Sequence, residues 1–232
     1  MNNNLKYGNN LHKEYPKTCA KDDFWGQVCR TVNGKPVEED DILLIVSQIT
    51  KYLKFDENDV LLDLCCGNGA LSNYLFNNIK GYLGVDFSEY LISVAKNNFE
   101  TNTHSFLVQD AVKFVQDFKD PLIFHKALCY GAFSYFDDTN AKVLLRLIFE
   151  RFSNISKIFV GNLPDRNLAD YFYIDPTIKN KYMDDPQSSL GIWRTKDQLS
   201  KIANDCGWNA EFSVMPKEFY AAHYRHDLIL YR

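Results

Sequence analysis

One stretch constrains this chain more than any other: Val60-Leu61-Leu62-Asp63-Leu64-Cys65-Cys66-Gly67-Asn68-Gly69-Ala70-Leu71. It reads as a buried strand, a tight turn of small residues and the start of a helix. An acid closes the strand, and Gly67 and Gly69 stand where a ligand needs the backbone close. About twenty residues on, Gly84-Val85-Asp86-Phe87-Ser88 is a second apolar strand ending in a carboxylate. Neighbouring strands, one ending in a glycine turn and the next in an acid, form a pocket for a ribose-bearing cofactor.

The rest of the chain repeats that rhythm. Ile42, Ile45, Val46, Ile49, Tyr52 and Leu53 share one helical face. A helix starts near Ala70, strand two covers Tyr82 to Val85, and a helix runs from Ser88 to Asn98. Strand three is Ser105 to Val108, followed by a short helix with Val112, Phe114, Val115 and Phe118. Strand four is expected over Leu122 to Cys129, with His125 inside it as a core residue. Residues 138 to 152 form a very apolar helix, and Lys157 to Gly161 is strand five. Alternation of this kind predicts a parallel sheet covered on both faces. From Asn162 to Gly191 the rhythm breaks in an insert with three prolines and many Tyr, Asp and Asn residues, expected as a structureless lid on the substrate side. Thr195 and Gln198 form a capping box, and Gly207 stops that helix. Two strands follow, Trp208 to Met215 and Tyr224 to Tyr231. The fold class expected is α/β: a Rossmann-like, seven-stranded, mostly parallel sheet with a C-terminal antiparallel hairpin, helices on both faces and an N-terminal lid. The lid is assigned to residues 1–40, the main domain to 41–232 and the insert to 162–191.

Composition narrows the partners. A formal net charge of −4 without a basic run argues against a nucleic-acid partner. Six cysteines without a C-x-x-C pair exclude a zinc ribbon and suit a reducing, cytoplasmic setting. The start of the chain has no apolar signal-peptide core, and no apolar run is long enough for a membrane span. Oligomeric state is not encoded legibly.

Asp63-Leu64-Cys65-Cys66-Gly67-Asn68-Gly69 resembles the acid-x-x-C-G-x-G form of the first motif of class I S-adenosylmethionine-dependent methyltransferases. The resemblance runs in register across residues 41 to 232, with Asp86 after strand two, Asp110-Ala111 after strand three and Cys129-Tyr130-Gly131 after strand four. It implies S-adenosyl-L-methionine as the cofactor. Gly67, Gly69, Cys65, Asn68 and Asp63 would face its methionine end, and Asp86 with Phe87 and Ser88 its ribose and adenine. Asp110 and Ala111 would take the adenine edge, and Cys129 would lie near the methyl group. Asp63, Asp86 and Asp110 each have a rival reading as a turn or helix cap. The leader Phe24-Trp25-Gly26-Gln27-Val28-Cys29-Arg30-Thr31-Val32-Asn33-Gly34 resembles that of small-molecule methyltransferases, some from surface-polysaccharide loci. There the leader folds over the cofactor. By analogy Trp25 or Gln27 would shield it and Arg30 would pair with its carboxylate.

Methyl transfer needs alignment of the nucleophile and exclusion of water, and for an alcohol a base. His223 is the first candidate base, because the last hairpin borders the substrate pocket in this fold. Tyr130 is the second residue assigned to the reaction. The Asn/Asp-Pro-Pro-aromatic motif of amino-methyltransferases is missing after strand four; Asn162-Leu163-Pro164-Asp165 follows strand five instead. The acids of metal-dependent catechol enzymes are also missing, so no metal is expected. Three readings stay open: methylation of a small molecule, most simply at oxygen of a sugar, phosphate-type or nucleotide-linked glycan precursor; a nicotinamide-dependent oxidoreductase, since Gly67-x-Gly69-x-x-Ser72 approaches that fingerprint; and a non-catalytic cofactor-binding subunit.

Overall fold

The structure, a computed structural model, describes residues 12–232; the start of the predicted lid, residues 1–11, lies outside them. Seven strands form one sheet: β1 Val60–Leu64, β2 Gly81–Asp86, β3 His104–Val108, β4 Lys126–Tyr130, β5 Lys157–Pro164, β6 Asn209–Ser213 and β7 Arg225–Tyr231. Their spatial order is β3-β2-β1-β4-β5-β7-β6. The first five pair in parallel, and β7 enters antiparallel between β5 and β6. This is the expected Rossmann-like sheet with its terminal hairpin.

Alternation along the strands divides the core in two. Leu62 and Leu64 of β1 and Leu228 and Leu230 of β7 face one side. They pack against helices α4 Ala111–Asp117, α5 Asp138–Arg151 and α7 Lys196–Asp205. Leu61 and Ile229 face the other side. There they meet α1 Glu39–Leu53, α2 Ala70–Asn73 and α3 Glu89–Phe99, with Ile42, Ile45, Ile49 and Leu53 of α1 buried as their spacing predicts. The capping box at Thr195 and Gln198 is formed.

Two expectations need correction. Strand four starts at Lys126, because Pro121–Ile123 is a 3-10 turn. His125 therefore stands just before the strand, where its Nδ1 accepts from Val60 N at 3.0 Å. The insert is not structureless: its first three residues extend β5, Arg166–Tyr171 is a 3-10 helix and α6 covers Pro176–Tyr182. Its aromatic residues explain the order, since Phe172, Tyr173 and Trp193 pack together with Tyr224. The helix after the glycine turn starts at Ala70 as expected and is a single turn, α2.

Between Val160 and Leu163 the β5–β7 register slips. Asn162 sits in that bulge with φ +67°, a left-handed backbone that costs a non-glycine residue energy and is found at functional sites. Its N–H donates to Asp227 Oδ1 at 2.8 Å and its carbonyl accepts from Arg225 Nη1 at 2.9 Å. A bulge in one strand thus fixes the direction of an arginine on the next.

Candidate active site

At the carboxyl ends of β1, β2, β4 and β5 lies a cavity of about 930 Å³. That position follows from the topology. The strand order reverses between β1 and β4, and the loops on either side of the reversal part to leave a crevice.

The turn after β1 makes one wall. Cys65, Gly67 and Gly69 have φ of 62°, 60° and 75°, so the chain bends through the left-handed region three times in five residues. A Cβ on Gly67 would come within 2.9 Å of Val28, and one on Gly69 within 2.7 Å of Phe106. Gly67 lines the cavity and Gly69 does not. Gly69 is required by packing against β3, not by approach to a ligand, which corrects its expected role.

Asp86 lines the cavity and is buried, with Oδ2 accepting from Gly67 N at 3.0 Å and Oδ1 from Ser88 N at 2.8 Å. These bonds hold its carboxylate against the glycine turn, and burial pushes its pKa up. Asp63 is also buried and at the cavity wall. Its Oδ2 accepts from the Ser72 hydroxyl and, at 2.9 Å, from the Tyr82 hydroxyl. Burial pushes its carboxyl up to about 7, with Asp86 adding to the rise and Arg30 opposing it. Two desolvated acids at one wall are a donor set suited to a cationic ligand and to hydroxyl donors.

Asp110 lines the cavity together with Ala111 and Phe87, and it also caps α4 by accepting from Lys113 N at 3.0 Å. Cap and cavity wall are therefore one position. Ser88 is a helix cap alone: its Oγ accepts from Leu91 N at 3.4 Å, and it does not line the cavity. Cys129 is buried behind the wall, beside Cys65, whose thiol it holds protonated. Ser88 and Cys129 are thus set back from the ligand space the sequence assigned them to.

The leader closes the cavity from above. Asn68 is buried, and its Nδ2 donates to Phe24 O at 2.8 Å and Gln27 Oε1 at 3.0 Å. Gln27 Nε2 in turn donates to Ala20 O at 3.0 Å and Lys21 O at 3.1 Å. Asn68 lines the cavity, yet both donors of its amide are spent on holding the leader. Trp25 does not line the cavity; it stacks near Tyr74 at 6.5 Å. Arg30 does, with its guanidinium 5.3 Å from the Trp25 ring and 5.1 Å from the Tyr130 ring. Trp25 is thus a platform for Arg30 rather than a shield.

His223 is exposed and outside the cavity, its ring edge-on to Tyr171 and Tyr224. The expected base is therefore misplaced: β7 begins at Arg225, so His223 belongs to the connection before it and turns to the surface. Tyr130 does line the cavity. Its hydroxyl is buried without a partner, and burial raises its pKa well above the usual value, so it is a phenol donor and no base. Four wall residues were not singled out from sequence: His12, Tyr135, Asn162 and Arg225. Among the five histidines, all within the described residues, His12 alone lines the cavity. Its Nε2 is buried and unpartnered, and burial lowers its pKa to about 4. His12 is therefore neutral near pH 7.

Residues 61–152 match a family model described as a methyltransferase domain. No curated protein matches the sequence. Among solved structures, the chain is similar to magnesium protoporphyrin IX methyltransferase from Synechocystis PCC 6803 with bound SAH (TM-score 0.60, 16% identity, covering 83% of this chain and 82% of that one). It is also similar to a SAM-dependent methyltransferase from Archaeoglobus fulgidus (0.58, 15%, 82% and 94%). A third similar structure is a SAM-dependent methyltransferase from Methanosarcina mazei (0.58, 18%, 79% and 94%). At such identities the likeness is one of fold. Joined to the matched domain, that likeness gives the chain a methyltransferase domain over residues 61–152, set in a fold that SAM-dependent methyltransferases share.

Proposed function

We propose that the enzyme methylates a small molecule at oxygen, with a sugar, phosphate-type or nucleotide-linked precursor of a surface glycan as the acceptor. The observation that carries this reading is the single cavity running from Asp86 and Asp110 to Tyr130 and Arg225 under the roof of the leader. Its volume lies in the range of small-ligand pockets, roughly 300–1,000 Å³. A roofed chamber admits a small acceptor and shuts out a nucleic-acid duplex. The leader's likeness to small-molecule methyltransferases supports the glycan assignment. Free thiols throughout the described residues suit a cytoplasmic enzyme.

S-adenosylmethionine supplies a methyl group activated by a sulfonium. The chain's own residues then divide the work. Asp86 accepts from the ribose hydroxyls with the lone pairs left over from Gly67 and Ser88. Asp110 and Ala111 read the adenine edge beside Phe87. Gly67 and Asp63 hold the methionine end, where Asp63 meets positive charge, and Arg30 takes the carboxylate. The leader, residues up to about 40, is the lid, pinned by Asn68. On the acceptor side Tyr130 donates a hydrogen bond, and the neutral His12 receives the proton when the nucleophile is a hydroxyl.

Calorimetric titration with S-adenosylhomocysteine and with NAD tests the reading. S-adenosylhomocysteine should bind and NAD should not. Asp86→Asn should weaken S-adenosylhomocysteine by about 10- to 100-fold, the worth of charge-assisted hydrogen bonds, while leaving adenine itself unaffected. Binding of NAD alone overturns the proposal.

A further inference from the structure

The acceptor end of the cavity holds an arginine with no direct ion pair among the described residues, although its charge reaches Asp227 at longer range. Arg225 opens β7 and lines the chamber. Its Nη1 is spent on Asn162 O at 2.9 Å, which fixes the guanidinium's direction, and its Nε is buried with no partner. Two arginines find carboxylates, Arg166 with Asp184 and Arg194 with Asp138 at 2.8 Å, while Arg146, Arg151 and Arg232 donate to backbone carbonyls. Arg225 makes no such pair among the described residues. Its neighbours are Tyr135, Tyr220 and Tyr224, and burial raises the Tyr135 and Tyr220 hydroxyls above their usual pKa, so those two carry no charge near pH 7. Asp227, two residues along, spends Oδ1 on Asn162 N and leaves Oδ2 unpartnered.

Two further polar atoms are stranded at this end: the Tyr130 hydroxyl and Asn162 Oδ1. Each buried polar atom left unsatisfied is costly. An oxyanion entering the chamber relieves the two donors, Arg225 Nε and the Tyr130 hydroxyl, while Asn162 Oδ1, an acceptor, is left for a donor group on the same ligand. The free Nε edge of a guanidinium matches two oxygens of a phosphate or carboxylate side by side, and the Tyr130 hydroxyl adds a third donor. Arg30 stacks between Trp25 and Tyr130, and its charge reaches Asp63 as well as Tyr130 and Tyr220, so it stands between the two ends of the cavity.

We infer that the methyl acceptor carries an anionic oxygen group, phosphate or carboxylate, and that Arg225 is the residue that receives it. This rests on the methyltransferase reading of the same cavity and narrows its substrate class to anions.

The test is calorimetric titration of the S-adenosylhomocysteine-saturated protein with inorganic phosphate and, separately, acetate. One or both should bind, and the stronger of the two names the group. Arg225→Gln should weaken that binding by at least about tenfold and Arg225→Lys by less, since Lys keeps the charge but not the fork. The affinity for S-adenosylhomocysteine should stay within about threefold, because the proposal gives the arginine to the acceptor and not to the cofactor. If Arg225→Gln does not fold, the Nε–H resonance of Arg225 in the wild-type protein still decides: it should shift on phosphate or acetate addition. No binding of either anion, equal binding to Arg225→Gln, or an unmoved Nε–H resonance refutes the inference. Loss of S-adenosylhomocysteine affinity in Arg225→Gln also refutes it, by assigning the arginine to the cofactor's own carboxylate. A wild-type protein that binds phosphate through Arg225 but not S-adenosylhomocysteine would sink the methyltransferase reading and keep the anion site.

Discussion

Asp63 is pulled two ways. Two hydroxyls hold its carboxyl in place, and burial pushes it up to about 7 from 3.8. The folded-state value lies above the unfolded one, so the native chain keeps a proton that the unfolded chain has shed. Stability is therefore full below about pH 4 and falls as the pH rises to about 7, by about 4 kcal/mol for a shift from 3.8 to about 7. Asp63→Asn keeps an acceptor for Ser72 and Tyr82 and should remove that slope. In urea unfolding at pH 5 and pH 8 the variant should gain on the wild type at the higher pH; parallel losses in both proteins would refute the assignment. Asp63, Asp86 and Asp110 were legible in the sequence because each acts within a few residues of its own strand end, where spacing is geometry. Arg225 and Asn162 were not. Their meeting depends on antiparallel pairing across some sixty residues and on a positive φ, and neither leaves a mark in residue spacing. His223 was misread for a related reason: it lies in the connection before β7, where packing against Tyr171 and Tyr224, not strand alternation, decides which way the ring turns.

Among the elements, the leader depends most on a single side chain. The Phe24–Gln27 turn meets the main body through Asn68, which gives its carbonyl to Ala70 N and both amide donors to the leader. Asn68→Ala strips three side-chain hydrogen bonds, two of them to the leader, and leaves Gln27 Oε1 stranded; loss of the two to the leader costs about 2 kcal/mol. Amide hydrogens of residues 24–30 should then exchange about 30-fold faster, with the β-sheet amides unchanged. Uniformly faster exchange would mean that Asn68 supports the whole fold rather than the leader. The sequence located this element and named Trp25 and Gln27. It could not tell platform from shield, because which way an indole faces in an aperiodic segment is settled by what it packs on, here Tyr74. In the insert, the aromatic residues make a packed cluster around Trp193, and Phe172 with residues 186–190 also lines the cavity.

Across the whole molecule, the sheet joins the two halves of the core. Leu228 belongs to one half and Ile229 to the other, both on β7 and both nearly inaccessible. Leu228→Ala and Ile229→Ala should each cost about 2–5 kcal/mol, and calorimetry should show one transition moving in both. Two separated transitions would mean that the halves unfold independently. The terminal hairpin was readable in the sequence because two strands with a short connection follow where the strand-helix rhythm ends, but its slot in the sheet was not. That slot has a further consequence. β7 is the last of the seven strands in the chain yet lies inside the sheet, with β5 on one side and β6 on the other. During synthesis β5 waits with a bare edge, apolar on both faces, until residues 225–231 leave the ribosome. An open edge of that kind invites strand exchange between nascent chains, so the growing polypeptide is most exposed to clumping just before its final pairing partner emerges.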